Sequence, residues 1–120
     1  MHIDFKAPTL ELSNDVRNYA EEKVRTLRKL LQKVEDENIR ADVELAKKGN
    51  QQSGDIFRAD ITVYAGPDRI HAVGHGESLH AAIDEAKDDL ARRLRRDKTR
   101  RLDTLREGSA KIKKMLRFWE

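Results

Sequence analysis

Three segments of the sequence alternate apolar and polar residues, which is the pattern of β-strands that bury one face. They are Ile39 to Leu45, Phe57 to Tyr64 and Ile70 to His75. The polar loop Lys47 to Asp55 separates the first two, and the turn sequence Ala65-Gly66-Pro67-Asp68 separates the last two. Such a series predicts an antiparallel sheet with one apolar face that other elements must cover.

Two amphipathic helices are predicted to supply that cover. Ser13 is a candidate N-cap for a helix that runs to about Gln32 or Val34, and Ser78 is a candidate N-cap for a second helix. Apolar residues recur at helical spacing in the first helix at Val16, Ala20, Val24, Leu27, Leu30, Leu31 and Val34. They recur in the second at Leu79, Ala82, Ile83, Ala86, Leu90 and Leu94.

A short first strand completes the predicted fold. Residues 2–6 place Ile3 and Phe5 on one face, and Pro8 ends the strand because proline cannot donate to a β-ladder. The element order is therefore β-α-β-β-β-α, an α+β fold in two layers with one wet sheet face. A helix joins the first two strands, so they are expected to be parallel. Residues 1–101 form the predicted domain.

Charge is distributed unevenly along the 120 residues. Residues 1–91 carry a formal balance of −5, whereas residues 92–120 carry +8, for a net charge of +3. An acidic body with a basic C-terminal part indicates a polyanion that is contacted at one end. RNA is the favoured polyanion, and a membrane surface is the alternative.

The most basic stretch lies at the end of the second helix, where seven of the ten residues from Arg92 to Arg101 are arginine or lysine. Asp88–Arg92 and Asp89–Arg93 are expected i,i+4 pairs. No acidic residue precedes Arg95, Arg96 or Lys98 by three or four positions. Arg92, Arg95 and Arg96 lie opposite the apolar stripe of their helix. These cations suit either a solvated, dipole-matched helix end or a contact with RNA phosphates.

Nothing in the sequence resembles an active site. The chain has no cysteine and no glycine-rich phosphate-binding motif. His71 and His75 share a strand face but are separated by about 13 Å, which is too far for one metal ion. We therefore expect no enzyme activity, no cofactor and no metal. The N-terminal residues lack the pattern of a secretion signal, and a cytoplasmic location without membrane contact is expected.

Residues 102–120, here called the tail, are predicted to be a separate basic, amphipathic and helical segment. Leu102, Leu105, Ile112, Leu116 and Trp119 follow a heptad-like spacing that Gly108 and Ser109 interrupt. The tail could extend the second helix, form a third helix or become ordered on a partner. Its terminal aromatic residues suit docking on the domain or on a second copy, and also base stacking.

Four segments resemble the ribosome hibernation promoting factor family, which includes ribosome-associated inhibitor A. They are Lys23 to Lys29 (KVRTLRK), Phe57 to Val63 (FRADITV), Glu77 to Asp84 (ESLHAAID) and Leu90 to Lys98 (LARRLRRDK). They occur in the family's order, and the resemblance extends from about Met1 to Arg101. His80, Thr26 and Asp89 depart from the residues usual in the family.

The resemblance implies a non-enzymatic translation inhibitor of the short type, with a fold similar to a double-stranded RNA-binding domain. Such a factor would occupy the decoding region of the small ribosomal subunit, where messenger and transfer RNA bind. It would silence idle ribosomes under stress or in stationary phase. The residues matched to the family's RNA contacts are Lys23, Lys29, Arg92, Arg95, Arg96, Lys98 and Arg100.

Two other functions fit the residues alone. One is a generic module for structured RNA, which would share the fold and the basic helix. The other is a protein-interaction module that self-associates through the tail. Binding to ribosomes would distinguish the first alternative from a hibernation factor, and loss of a dimer on removal of the tail would identify the second.

Overall fold

The computed structural model describes residues 1–48, 54 and 56–96. Its strands are β1 (His2–Lys6), β2 (Ile39–Lys47), β3 (Phe57–Ala65) and β4 (Asp68–Gly76). Helix α1 is Asn14–Arg25, and a second helix, α2, covers 79–96. Short 3₁₀ helices occupy Thr26–Leu31 and Asp36–Asn38. The predicted α+β fold and its element order are confirmed.

One four-stranded sheet has the strand order β1-β2-β3-β4. β1 is parallel to β2, while β2–β3 and β3–β4 are antiparallel, as predicted. Consequently β1, β2 and β4 all run in the same direction. Ile39 pairs with Ala65, and Ala65 pairs with Asp68, so β2 and β4 begin at the same end of the sheet.

The core lies between one sheet face and the two helices. Alternate residues of the strands and the apolar stripes of the helices are buried there, as their periodicity predicted. The largest fully buried side chains are Leu27, Ile39, Leu45, Ile61, Ile83, Leu90, Val24, Val43 and Val63. All of them are aliphatic, so burial of apolar surface, at about 25 cal/mol per Å², supplies the main driving force for folding.

The first helix changes type before its predicted end. Its N-cap is Ser13, whose Oγ accepts a hydrogen bond from the Val16 amide at 3.3 Å. After Arg25 the chain tightens into a 3₁₀ helix instead of continuing as an α-helix. Arg28 donates hydrogen bonds to the carbonyls of Leu31 and Val34 at 2.7 and 3.0 Å, which satisfies two acceptors at that end.

Two glycines have clear and different roles. Gly66, with φ of +57°, is the first residue of the two-residue loop between β3 and β4, and glycine adopts this conformation without strain. Gly74 lies where α2 crosses β4. A Cβ atom built there would collide with the Ala82 carbonyl oxygen and lie 2.5 Å from the Ala86 nitrogen. Gly74 therefore permits close packing of helix on strand.

Within residues 1–48 and 56–96, none of the helices combines the length and the apolar character needed to cross a membrane.

Candidate nucleic-acid interface

The two helices finish at the same end of the sheet. α1 follows β1 and α2 follows β4, and these strands run in the same direction. The helices are therefore parallel neighbours, and the rings of Tyr19 and His80 meet 4.3 Å apart in their early turns. Their later turns lie toward the end where β1, β2 and β4 begin. We call this region the basic end and define it by four of its exposed cations, Lys29 in the 3₁₀ helix that follows α1 and Arg92, Arg95 and Arg96 in α2.

The four residues of the basic end all belong to the predicted contact set, and all four are exposed. Lys23 differs, since it is half-buried and its Nζ lies 5.3 Å from the centroid of the Tyr19 ring. Lys98, Arg100 and the tail lie outside the described residues. The exposed cations come from two separate parts of the sequence, which gives a surface broader than one helix.

The acidic residues of α2 pair differently from the prediction. Asp89 contacts Arg93 at 3.1 Å, as expected, but it also contacts Arg92 at 3.6 Å. The predicted Asp88–Arg92 pair was wrong, because Asp88 instead contacts Lys87 at 3.4 Å. A single carboxylate therefore serves two guanidinium groups on this helix.

Neither arginine is held tightly by Asp89. The side chains of Arg92 and Arg93 are 68% and 50% exposed, and ion pairs in such surroundings contribute about 0–1 kcal/mol. Arg95 also has an interaction partner in the structure, so its expected isolation does not hold. Phosphate oxygens could therefore replace the Asp89 contact of Arg92 at little cost in stability.

A polar contact between the helices fixes their relative position. The hydroxyl of Tyr19 donates a 2.6 Å hydrogen bond to Asp84, while the Tyr19 ring packs against His80. His80, one of the residues that depart from those usual in the family, lies in the first turn of α2 and is exposed apart from this contact. The Tyr19–Asp84 bond was missed because the two residues are 65 positions apart and no local pattern links them.

The hydrogen bond to Asp84, together with burial and the nearby carboxylate charges, raises the pKa of Tyr19 from 10.0 to about 12. The folded state therefore keeps this phenol neutral at a pH where the unfolded chain ionises it. Its contribution to stability is complete below pH 10 and is lost as the pH rises toward 12.

Titration of tyrosinate absorbance in Tyr64→Phe, which leaves Tyr19 as the remaining tyrosine, is expected to give a midpoint near pH 12. Adding Asp84→Asn should lower that midpoint, since the carboxylate both accepts the bond and repels the phenolate. A midpoint near the ordinary value of 10 in Tyr64→Phe would contradict the contact.

The histidines do not gather into a metal site. His71 hydrogen-bonds to Asp60 across the β3–β4 pair, and the Nδ1 atom of His75 is buried without a partner. In the part of the chain that the structure describes, no three His, Cys, Asp or Glu residues are placed to hold a metal ion.

The fold and the exposed arginines define a class of protein. It is an α+β domain with two parallel helices and with cations exposed toward one end, and such a surface suits a polyanion. The chain belongs to the family described as Sigma 54 modulation protein / S30EA ribosomal protein, whose sequence profile matches residues 3–102. The resemblance drawn from the four sequence segments is thereby confirmed.

Curated relatives carry the name ribosome hibernation promotion factor. One from Picosynechococcus sp. is 30% identical over 98 residues, covering 82% of this chain and 49% of the relative. Another, from Deinococcus radiodurans, is 28% identical over 99 residues, covering 82% of this chain and 50% of the relative. The chain thus spans about half the length of the curated relatives it matches.

Solved structures show the same fold. The N-terminal domain of Thermus thermophilus Protein Y is 29% identical, with a TM-score of 0.63 over 80% of this chain and 98% of that one. A ribosomal subunit interface protein from Coxiella burnetii is 17% identical, with a TM-score of 0.62 over 82% and 99% of the two chains. The second likeness shows the fold alone.

Proposed function

We propose that this chain binds the small ribosomal subunit and silences idle ribosomes without catalysing a reaction. The observation that carries the proposal is the basic end, where the 3₁₀ helix after α1 presents Lys29 and α2 presents Arg92, Arg95 and Arg96, in a family whose relatives are named for ribosome hibernation. Ribosomal RNA is the dense polyanion that such a surface fits. Lys23, Lys98 and Arg100 complete the proposed contact set.

The proposed mechanism is exclusion by occupancy. The guanidinium and ammonium groups bind phosphates of ribosomal RNA and release counterions, while the rigid two-layer domain matches the shape of the RNA surface. Placed in the decoding region, the domain takes space that messenger and transfer RNA need. The ribosome is then silenced by a reversible competitor, acting in the cytoplasm during stress or stationary phase.

Co-sedimentation with isolated ribosomal subunits tests this proposal. At near-physiological salt we expect the chain to pellet with small subunits and to stay in the supernatant with large ones. An excess of duplex RNA should compete poorly, because shape as well as charge selects the site. Equal binding to both subunits, reversed by any duplex RNA, would instead support a generic module for structured RNA.

A further inference from the structure

The open face of the sheet carries four rows of side chains, which the strand register defines. Two rows contain no acidic residue, namely Ala46, Arg58 and His75 at one end of the sheet and, at the other end, the row that we call the Tyr64 row. It consists of His2, Arg40, Tyr64 and Arg69, neighbours across β1, β2, β3 and β4. It crosses the sheet at the end where β1, β2 and β4 begin, which is also the end toward which both helices run.

The two rows beyond it differ in charge. The next row contains Asp4 and Asp42, and the row after that contains Glu44 and Asp60. These carboxylates would repel a phosphate chain from the middle of the sheet. A polyanion reaching the open face is therefore disfavoured on these two rows. Of the two rows without a carboxylate, the row of Ala46, Arg58 and His75 has its arginine paired with Asp60 at 3.2 Å. The Tyr64 row is the one that lies at the end toward which both helices run.

The centre of the row is an aromatic ring stacked with a cation. The Arg40 guanidinium lies 4.4 Å from the centroid of the Tyr64 ring, and Tyr64 remains partly exposed. Arg40 also approaches Asp42, but at 3.5 Å and with its side chain 51% exposed. Arg69, exposed on β4, is the register partner of Tyr64 on the other side. Arg40, Tyr64 and Arg69 together span about 10 Å, twice the spacing of neighbouring strands.

We infer that the Tyr64 row is a second RNA contact, which holds an unpaired nucleotide. The base stacks on the face of Tyr64 that the Arg40 guanidinium does not cover, and Arg69 contacts the adjoining phosphate. Stacking on an aromatic ring does not depend on base identity, so the contact selects single-stranded RNA rather than a sequence. An RNA strand passing over the end of the sheet would reach both this row and the basic end. The inference deepens the proposed function and rests on it in one respect, namely that the RNA is ribosomal RNA.

The test is fluorescence anisotropy of a labelled single-stranded oligouridine with the full chain and its variants. Tyr64→Ala is expected to weaken binding about tenfold or more, the loss typical of one stacked base. Tyr64→Phe should stay within about twofold of the parent, since it keeps the ring. Arg69→Ala should lower the log–log salt slope by about 0.7, whereas Tyr64→Ala should leave the slope unchanged.

Val73→Ala is the matched control, because Val73 lies on the same sheet face but in the row of Glu44 and Asp60. It should bind like the parent, and thermal melting will verify that each variant is folded. Unchanged binding by Tyr64→Ala, an equal loss in Tyr64→Phe, or no binding by the parent at about 100 µM would each overturn the inference. This assay contains no ribosomal subunits. A failure here therefore contradicts the Tyr64 row alone, whereas a failure of the proposed ribosome binding would be seen in the co-sedimentation experiment.

Discussion

Replacing Arg92 and Arg96 with glutamate is expected to weaken binding to small ribosomal subunits about 100-fold at near-physiological salt. Each change removes a charge-assisted contact, worth about 1.5 kcal/mol or more, and places a carboxylate against phosphate. The log–log salt slope should fall by about two, one for each lost phosphate contact. Quantitative sedimentation over a series of salt concentrations measures both quantities.

The domain should remain folded in this double variant. Both side chains are exposed, and the Asp89–Arg92 contact at 3.6 Å is an i,i+3 pair of the kind that contributes little in water. Lys47→Glu with Lys48→Glu is the matched control. It changes the net charge equally but lies at the end of β2, away from the basic end.

The control is expected to bind within about threefold of the parent. At physiological salt the interaction between exposed charges is largely screened beyond one Debye length, about 8 Å, so charges away from the basic end have little effect on binding there. Two results would contradict the account. One is equal weakening by both double variants, which would indicate an effect of net charge alone. The other is a loss of circular dichroism that parallels the loss of binding.

Gly74→Ala is expected to destabilise the domain by about 3 kcal/mol, the upper part of the usual range for overpacking. The added methyl group meets the backbone of α2 at Ala82 and Ala86, so no side-chain rotation can relieve the contact. The helix must move away from β4, which loosens the packing of Ile83 and Leu90 beneath it. Thermal melting should show a decrease of about 10–20 °C.

Gly66→Ala serves as the comparison. Its methyl group would have no atom within 4 Å, but its φ of +57° imposes a backbone cost of about 1 kcal/mol on alanine. Gly74→Ala should therefore be clearly the less stable of the two. The reverse order would mean that α2 does not pack against β4 as closely as described.

Local pattern was sufficient for most of the fold. The alternation from Ile39 to Leu45 assigned each residue to a sheet face, and its buried and exposed positions follow that assignment in the structure. The caps at Ser13 and Ser78 were equally predictable, since each hydroxyl accepts a backbone amide of the first turn at 3.3 or 3.1 Å.

Features that depend on tertiary packing were not predictable from local pattern. The apolar residues of the 3₁₀ segment after Arg25 follow a spacing that also fits an α-helix, because the two helix types differ by only 0.6 residue per turn. The closeness of Gly74 to α2 required the helix position, and the Tyr64 row required the register of four strands. A sequence pattern identifies the cations but not which of them share an end of the molecule.

The arginines of α2 illustrate how structure refines a proposed site. Charge pattern singled out Arg92, Arg95 and Arg96 and correctly predicted that they are exposed. It did not reveal that Asp89 is shared between Arg92 and Arg93 or that Arg95 has a partner. The same cations also suit the negative dipole end of the helix, an effect of about 0.3–1 kcal/mol that needs no RNA. Binding data, rather than charge alone, decide between these roles.

The central claim is that this domain competes with messenger and transfer RNA for the decoding region. Its most direct test is co-sedimentation with small subunits that are either empty or loaded beforehand with messenger and initiator transfer RNA. The account predicts that the chain pellets with empty subunits and is largely excluded from loaded ones. Equal binding to both would contradict occupancy of the decoding region and place the contact elsewhere on the ribosome. Absence of binding to empty subunits would contradict the proposed function itself.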